Sequence, residues 1–460
     1  MSFTRAGLAL PPVLKPLAWA AALVVGAGGA QAQSLVETVE AARGYDATYL
    51  AARSNADAAE YRYQQARGLH LPSANLVVDG QRAVQNTPYT QPTSGSSNQG
   101  NITVNAQQTI FNRQNDLQID EAEKLVEVAR LQLVAAEQDL MVRVASAYFQ
   151  VLASSDALQT VVANRAAISE PLASAKRNFE VGNATITDTR EAEARSDLAV
   201  SQELSATNDL QVAQVTLDQL IGRNGVKPHP LALPATLPPI MPSQAQDWVN
   251  LASTENPVLK QQRLNYEVAK LETSRAKAGH LPVVTAGANI GKNYAHQEAS
   301  YGAGLVPPGT PTAAGGWGTS NGVNVTLTVP LFAGFQIQNR VKETVALEEA
   351  ARTNEEGALN TATLLTRQTY LSAQSLASQV KALEAAENSS KLQLDATQLG
   401  YKVGVKVNLD VLNAQFQLYT TQRDLAQARY AYLVGTLKLR QAAGTLTQND
   451  IVATNALLVR

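Results

Sequence analysis

The imidazoles available for chemistry are His70, His229, His280 and His296, and their spacing makes no ligand cluster. There is no cysteine. Thiol nucleophiles, thiolate metal sites, a disulfide framework and a lipid-modified N-terminal cysteine are therefore excluded. Gly-rich phosphate loops, metal-ligand pairs and nucleophile elbows are missing as well, so neither an enzyme nor a cofactor is expected. Two acidic side chains have a suggestive placement. Asp188 followed by Glu191 reads as a capping box, and Asp410 sits where a helix N-cap belongs. His70 and His280 share one context, each directly before Leu-Pro.

That shared context is part of an internal duplication. His70-Leu71-Pro72 recurs as His280-Leu281-Pro282. Phe111 answers to Phe332, Tyr148 to Tyr370, Phe179-Glu180-Val181-Gly182 to Tyr401-Lys402-Val403-Gly404, and Gly222 to Gly444. A nearly constant offset over these landmarks marks two structural repeats.

The N-terminus reads as a secretory signal over residues 1–32. Arg5 and Lys15 supply positive charge, an apolar run over 17–29 is too short to span a bilayer, and Ala30-Gln31-Ala32 is an A-x-A cleavage site. With the signal removed, 35 Lys and Arg face 39 Asp and Glu, a net charge of −4. Basic runs are absent, which argues against a nucleic-acid partner.

Beyond the signal, no apolar stretch reaches the roughly 18–20 residues of a transmembrane helix. Strands must do any spanning, because only helices and closed barrels satisfy their backbone groups in lipid. Asn75 to Gly80 begins one strand, and Ile102, Val104 and Ala106 alternate with Thr103, Asn105 and Gln107 in a second. The other repeat supplies a strand over 283–291 and a strict alternation over 323–329. Polar loops over 87–100 and 300–319 separate the members of each pair. Alternating strands near 10 residues long suit an outer-membrane barrel with a wet lumen. Trp317, beside the second loop, is placed to sit at a bilayer interface.

Helices fill the remainder. A first one is expected over 34–69, ended by Pro72. Residues 113–181 contain no glycine and only Pro171, while 335–403 contain no proline and only Gly357 and Gly400. Roughly 69 residues at 1.5 Å each extend about 100 Å. Leu125, Val128, Leu131, Leu133, Ala136 and Leu140 form an apolar stripe, best buried in a coiled-coil-like assembly. Each long helix ends at a tight reversal, and returning helices are expected over 189–221 and 411–443. The proline-rich stretch over 228–242 cannot be helical.

These features divide the chain into a first repeat over 33–226, a linker over 227–245, a second repeat over 246–446 and a C-terminal tail over 447–460. Four strands cannot close a barrel, and an open edge in lipid leaves unsatisfied N–H and C=O groups. The fold class is thus a mixed α and β membrane protein whose copies must associate, as a dimer of eight strands or a trimer of twelve.

The tract from Tyr401-Lys402-Val403-Gly404 through Asn408-Leu409-Asp410 to Asn413-Ala414 resembles the second helix tip of TolC-type outer-membrane channels. Val181-Gly182-Asn183 through Thr187-Asp188 is similar to their first tip. The resemblance covers nearly the whole mature chain. It implies a homotrimer whose 12-stranded barrel in the outer membrane continues as an α-helical coiled-coil barrel across the periplasm. It also implies two partners: a periplasmic adaptor, and an inner-membrane transporter of RND, MFS or ABC type.

By the same resemblance, Tyr401 and Lys406 bond to Asp188 and Thr187 of neighbouring coils, Asp410 and Asn413 line the pore, and Val181, Gly182, Val403 and Gly404 form the adaptor-docking tips. Lys406 stands where the family has Arg, which replaces a bidentate fork by a point charge. Asn413 stands where a second pore-lining Asp is expected, leaving one carboxylate ring. Three Asp410 groups about 8 Å apart would repel by about 2 kcal/mol per pair at an effective dielectric of 20. The functional expectation is an exit duct for small-molecule efflux or type I protein secretion. A periplasmic coiled-coil adaptor would need a compact biotin-like β-domain between two helices, and the chain offers none.

Overall fold

The computed structural model describes residues 32–86, 94–182, 185–232, 237–300 and 313–459. The expected signal segment before residue 32 and parts of both expected polar loops lie outside the described residues.

The first helical tract is two helices, α1 (Leu35–Arg43) and α2 (Ala47–Arg67), where one was expected. Asp46 forces the break. Its side chain accepts from the Tyr49 amide at 2.8 Å to cap α2, so the chain stops at Gly44 and restarts. A 3-10 turn (Gly68–His70) then leads into the strands, as Pro72 demands.

Two short strands, β1 (Ala32–Gln33) and β4 (Lys227–Pro228), pair in parallel. The long strands are β2 (Ser73–Asn86), β3 (Ser94–Phe111), β5 (Val283–Ser300) and β6 (Ala313–Thr328). They form one antiparallel sheet in the order β2-β3-β5-β6. β3 and β6 begin inside segments that read as loop. Their Ser- and Gly-rich starts lack apolar alternation, yet Ser94 to Gly100 pairs with both β2 and β5. There the hydrogen-bond ladder holds the strand without help from hydrophobicity.

Register assigns the faces, because side chains alternate along each strand. One face gathers Leu76, Val78, Ile102, Val104, Ala288, Ile290, Val323, Val325 and Leu327, all in matched rows. Trp317 and Tyr294 close this apolar band, their rings 5.3 Å apart. The other face carries Asn75, Gln81, Gln99, Asn101, Asn105, Asn289, Asn293 and Asn324. A slip at Thr109/Phe111 keeps Phe111 opposite Val284 on the apolar side. Three glycines on the polar face give room to neighbouring amides. A Cβ on Gly318 would lie 2.8 Å from Asn293 Oδ1, on Gly322 2.8 Å from Asn289 Oδ1, and on Gly287 2.6 Å from Asn324 Oδ1.

The long helices are α3 (Arg113–Glu180) and α7 (Gln336–Lys402), with returning helices α4 (Ile186–Ile221) and α8 (Asn408–Ala442). Both returning helices start three residues before the expected positions, where their caps lie. α5 (Ala245–Glu255), α6 (Pro257–Ala278) and α9 (Gln448–Asn455) complete the helices. No helix among the described residues is long and apolar enough to cross a membrane.

Side by side, α3 packs against α4 and α8, and α8 packs against α7, while α4 barely touches α8. The lateral order is therefore α4-α3-α8-α7. The main core lies at the waist of these rods, where Leu35 and Val39 meet Leu140, Tyr148, Phe149, Leu217, Leu433 and Ile451. Residues 447–460 were expected to be a tail. Instead, α9 enters this core and Leu458 bridges Leu231, because Ile451 and Leu458 are apolar and need cover.

The repeat tyrosines explain the linker's path. The Tyr148 hydroxyl donates to the Gln33 carbonyl at 2.9 Å and accepts from the His229 amide at 2.7 Å. Its counterpart Tyr370 donates to the Ser243 carbonyl. Tyr430 of α8 donates to Asp156 of α3 at 2.7 Å, and burial pushes that carboxyl above its usual range.

Candidate functional site: the two helix tips

The two reversals share one backbone geometry. At the first, the Val181 amide donates to Arg177 O at 3.2 Å and the Gly182 amide to Phe179 O at 3.0 Å. At the second, Val403 donates to Leu399 O at 3.2 Å and Gly404 to Tyr401 O at 3.1 Å. Gly182 and Gly404 both have φ of 80°, the left-handed conformation that ends a helix cheaply only at glycine. Val181, Val403 and Val405 project into solvent from these turns, with 69%, 66% and 78% exposure.

Capping then restarts each helix. Asp188 was read as an N-cap paired with Glu191. It occupies the third helical position instead, and Thr185 is the cap. Asp188 Oδ2 accepts from the Thr185 amide and hydroxyl, both at 2.9 Å, while Thr185 Oγ1 accepts from the Asp188 amide at 3.2 Å. The bonds from the Thr185 backbone and then its side chain hold the Asp188 carboxyl below its usual range. Asp410 repeats half of the arrangement: its carboxylate accepts from the Val407 amide at 3.3 Å, while Val407 has no side-chain acceptor to return the bond. It also faces Lys406 Nζ at 3.7 Å. The Lys406 stem lies over Gly400, where a Cβ would come within 2.8 Å of Lys406 Cγ.

Among the described residues of one chain, no hydrogen bond joins Tyr401 or Lys406 to Thr187 or Asp188. Thr187 is exposed and Tyr401 is half-buried at the end of α7. Residues 183–184 of the first tip lie outside the described residues.

Asn413 has a partner that nothing in the sequence signalled. Arg195 of α4 donates from Nη2 to Asn413 Oδ1 at 3.0 Å and lies 3.9 Å from Glu191 Oε1. Close by, Asn408 Nδ2 donates to the Pro171 carbonyl at 3.4 Å, and Ile168, Ala199 and Leu412 form a small buried cluster. Arg195 follows Glu191 by four residues, which reads as an ordinary pair along one helix. Only the packing of the second hairpin against the first turns it toward α8. Here the two hairpins are tied together, with one of the contacts made to the carbonyl of Pro171, whose ring removes a backbone donor from α3.

Nothing in this arrangement positions a nucleophile, base or metal; among the described residues no group of His, Asp and Glu could hold a metal ion. What the geometry offers is two matched tips whose helices each start under an aspartate, the second also paired with Lys406, at the far end of rods that carry a two-faced sheet.

The model of the outer membrane efflux protein family matches residues 39–223 and 248–445. The outer membrane protein TolC of Vibrio cholerae is 30% identical over 445 residues, covering 96% of this chain and 98% of that protein. The alkaline protease secretion protein AprF of Pseudomonas aeruginosa is 30% identical over 316 residues, which is 68% of this chain and 63% of that protein. Among solved structures, the outer membrane protein VceC of Vibrio cholerae has a TM-score of 0.72 at 21% identity, covering 89% of this chain and 96% of that one. The Campylobacter jejuni CmeC outer membrane channel has a TM-score of 0.74 at 15% identity, covering 99% and 98%. The duplicated matches, the near full-length relatives and the shared fold agree, and the chain belongs to the outer membrane efflux protein family.

Proposed function

We propose that three copies of this chain close a 12-stranded barrel in the outer membrane, and that their helices continue it as a tunnel toward the periplasm. One observation carries the reading. The sheet runs β2-β3-β5-β6 and the helices run α4-α3-α8-α7. In both layers the first repeat supplies one edge and the second repeat the other. The sheet edges β2 and β6 have unpaired backbone groups. The helix edges expose Leu204, Val212 and Val215 on α4, and Leu364, Leu371 and Leu392 on α7. Joining the second repeat of one copy to the first repeat of the next covers both edges with the same sense of rotation. Such head-to-tail contacts close into a ring, and a β6–β2 junction keeps every pair antiparallel.

The apolar face then meets lipid and the amide-rich face lines water. From the Leu327 row to the Trp317 row, tilted strands rise by about 25 Å, the height of an outer-membrane apolar band. The duct serves efflux or type I secretion, with a periplasmic adaptor docking at Val181, Gly182, Val403 and Gly404. An inner-membrane transporter of RND, MFS or ABC type delivers the cargo. The entrance is set by Thr187, Asp188, Tyr401, Lys406, Asp410 and Asn413. The relatives support both uses, since they include a TolC, an efflux protein and two protease secretion proteins.

The test is reconstitution of the purified mature protein. The expected result is a heat-dissociable trimer on denaturing gels that conducts ions across planar bilayers. Cysteines at Val405 should crosslink to a co-expressed adaptor. A monomer that never conducts would overturn the reading.

A further inference from the structure

We propose that Asp79 is the residue that sets ionic preference inside the β-barrel; this rests on the barrel reading above. The register sorts every charged side chain of the four long strands. Arg82, Lys292, His296 and Glu298 all fall on the apolar face, in the rows at and beyond the aromatic pair or next to it. The polar face is made of Asn, Gln, Ser, Thr, Gly, Ala and Val, with one exception, Asp79.

Asp79 sits in a row with Asn101, Asn293 and Gly318. Asn101 Nδ2 donates to Asp79 Oδ1 at 3.2 Å, and Thr103 Oγ1 in turn donates to Asn101 Oδ1 at 2.8 Å. These bonds hold the carboxylate in one place on the wall. No cation shares the face, so nothing on the described strands neutralises it. In a threefold ring, three copies form a belt of negative charge in a lumen otherwise lined by neutral dipoles. Its reach follows the salt: about 10 Å at 0.1 M and about 30 Å at 0.01 M. At low ionic strength the belt spans the bore, concentrating small cations and depleting small anions.

The cysteine-free chain permits a direct test. A single reporter, Gln99→Cys, lies on the same face one row beyond Asp79. In outer-membrane vesicles, its reaction rates with cationic and anionic thiosulfonate reagents of equal size are compared at about 10 mM and about 1 M salt. The expected cation-to-anion rate ratio at low salt falls by about twofold or more when Asp79→Asn is added. The difference vanishes at high salt. A low-salt ratio that ignores Asp79→Asn, at a reporter that still reacts, overturns the assignment and leaves the duct standing. A reporter that reacts with neither reagent, while Ala288→Cys on the opposite face does, overturns the assignment and the barrel reading together.

Discussion

Arg195 reaches from the first helix hairpin to Asn413 on the second at 3.0 Å, so the position where the family places a pore carboxylate is tied sideways by a guanidinium. This tie should resist separation of the hairpins. Asn413→Asp converts it to a charge-assisted pair and is expected to lower the open probability about fivefold, worth about 1 kcal/mol at a partly exposed site. Arg195→Ala should raise conductance. Single-channel recording of both, and of the double variant, separates the roles. If Asn413→Asp acts equally without Arg195, the residue works on passing ions and not through the tie.

The periplasmic entrance offers a second expectation. Tyr401→Phe combined with Asp188→Ala should give a leakier channel, because the proposed bonds between neighbouring copies are removed. Asp188 also caps α4 through Thr185, so Asp188→Ala frays the first turn as well. Thr185→Ala removes the cap partner and spares the carboxylate. Equal leak in Thr185→Ala and in the combined variant would attribute the effect to fraying and remove the latch.

Gly222 and Gly444 close corresponding helices of the two repeats, and each is pressed by a junction between helices: Tyr45 between α1 and α2, and Asn256 between α5 and α6. A Cβ on Gly222 would overlap the Tyr45 ring, and on Gly444 the Asn256 backbone; both have positive φ, 66° and 76°. Tyr45 is 57% exposed and can swing aside, whereas the start of α6 cannot. Gly222→Ala should destabilise by about 1 kcal/mol and Gly444→Ala by more than about 2 kcal/mol. The heat-dissociation temperature of the proposed trimer reports both. Similar small shifts would show that the α8–α6 junction is softer than its packing.

A pH dependence follows from Asp46. Arg143 grips its carboxylate at 2.8 and 3.1 Å, and this bond, joined by the Tyr49 amide, holds the carboxyl below its usual range against the opposing effect of burial. A lowered folded-state pKa means the stabilisation is present above the unfolded value near 4 and is lost as pH falls through the folded value. Asp46→Asn keeps the cap and removes the charge. It should cost about 1–2 kcal/mol at neutral pH, with the gap to wild type closing toward pH 3. Chemical denaturation across that range is the measurement. A gap unchanged down to pH 3 would assign Asp46 a capping role alone.

Much of the fold was legible because periodicity and punctuation agreed. The long runs almost free of glycine and proline marked α3 and α7 nearly to the residue, and the alternation at Ile102 to Gln107 and at Val323 to Val329 marked β3 and β6. The misreadings share a cause. Asp46 breaks a helix by capping the next one at the Tyr49 amide, and Arg143, 97 residues away, holds its carboxylate there. Ser94 to Gly100 becomes strand only because two neighbours pair with it, and α9 is a helix because a core at the waist needs Ile451. At the tips, the turns and their glycines could be read directly. Arg195 could not, since its partner is 218 residues distant and its helix neighbours already explain it.

The glycines beneath Asn293, Asn289 and Asn324 let those amides recline against the polar face, the inner wall of the proposed barrel. Calibre is thus governed by hydrogens that occupy no space, at three recesses per copy. Methyl groups added there would tip carboxamides inward one at a time, so the bore can be narrowed in small steps with the strand pairing left intact.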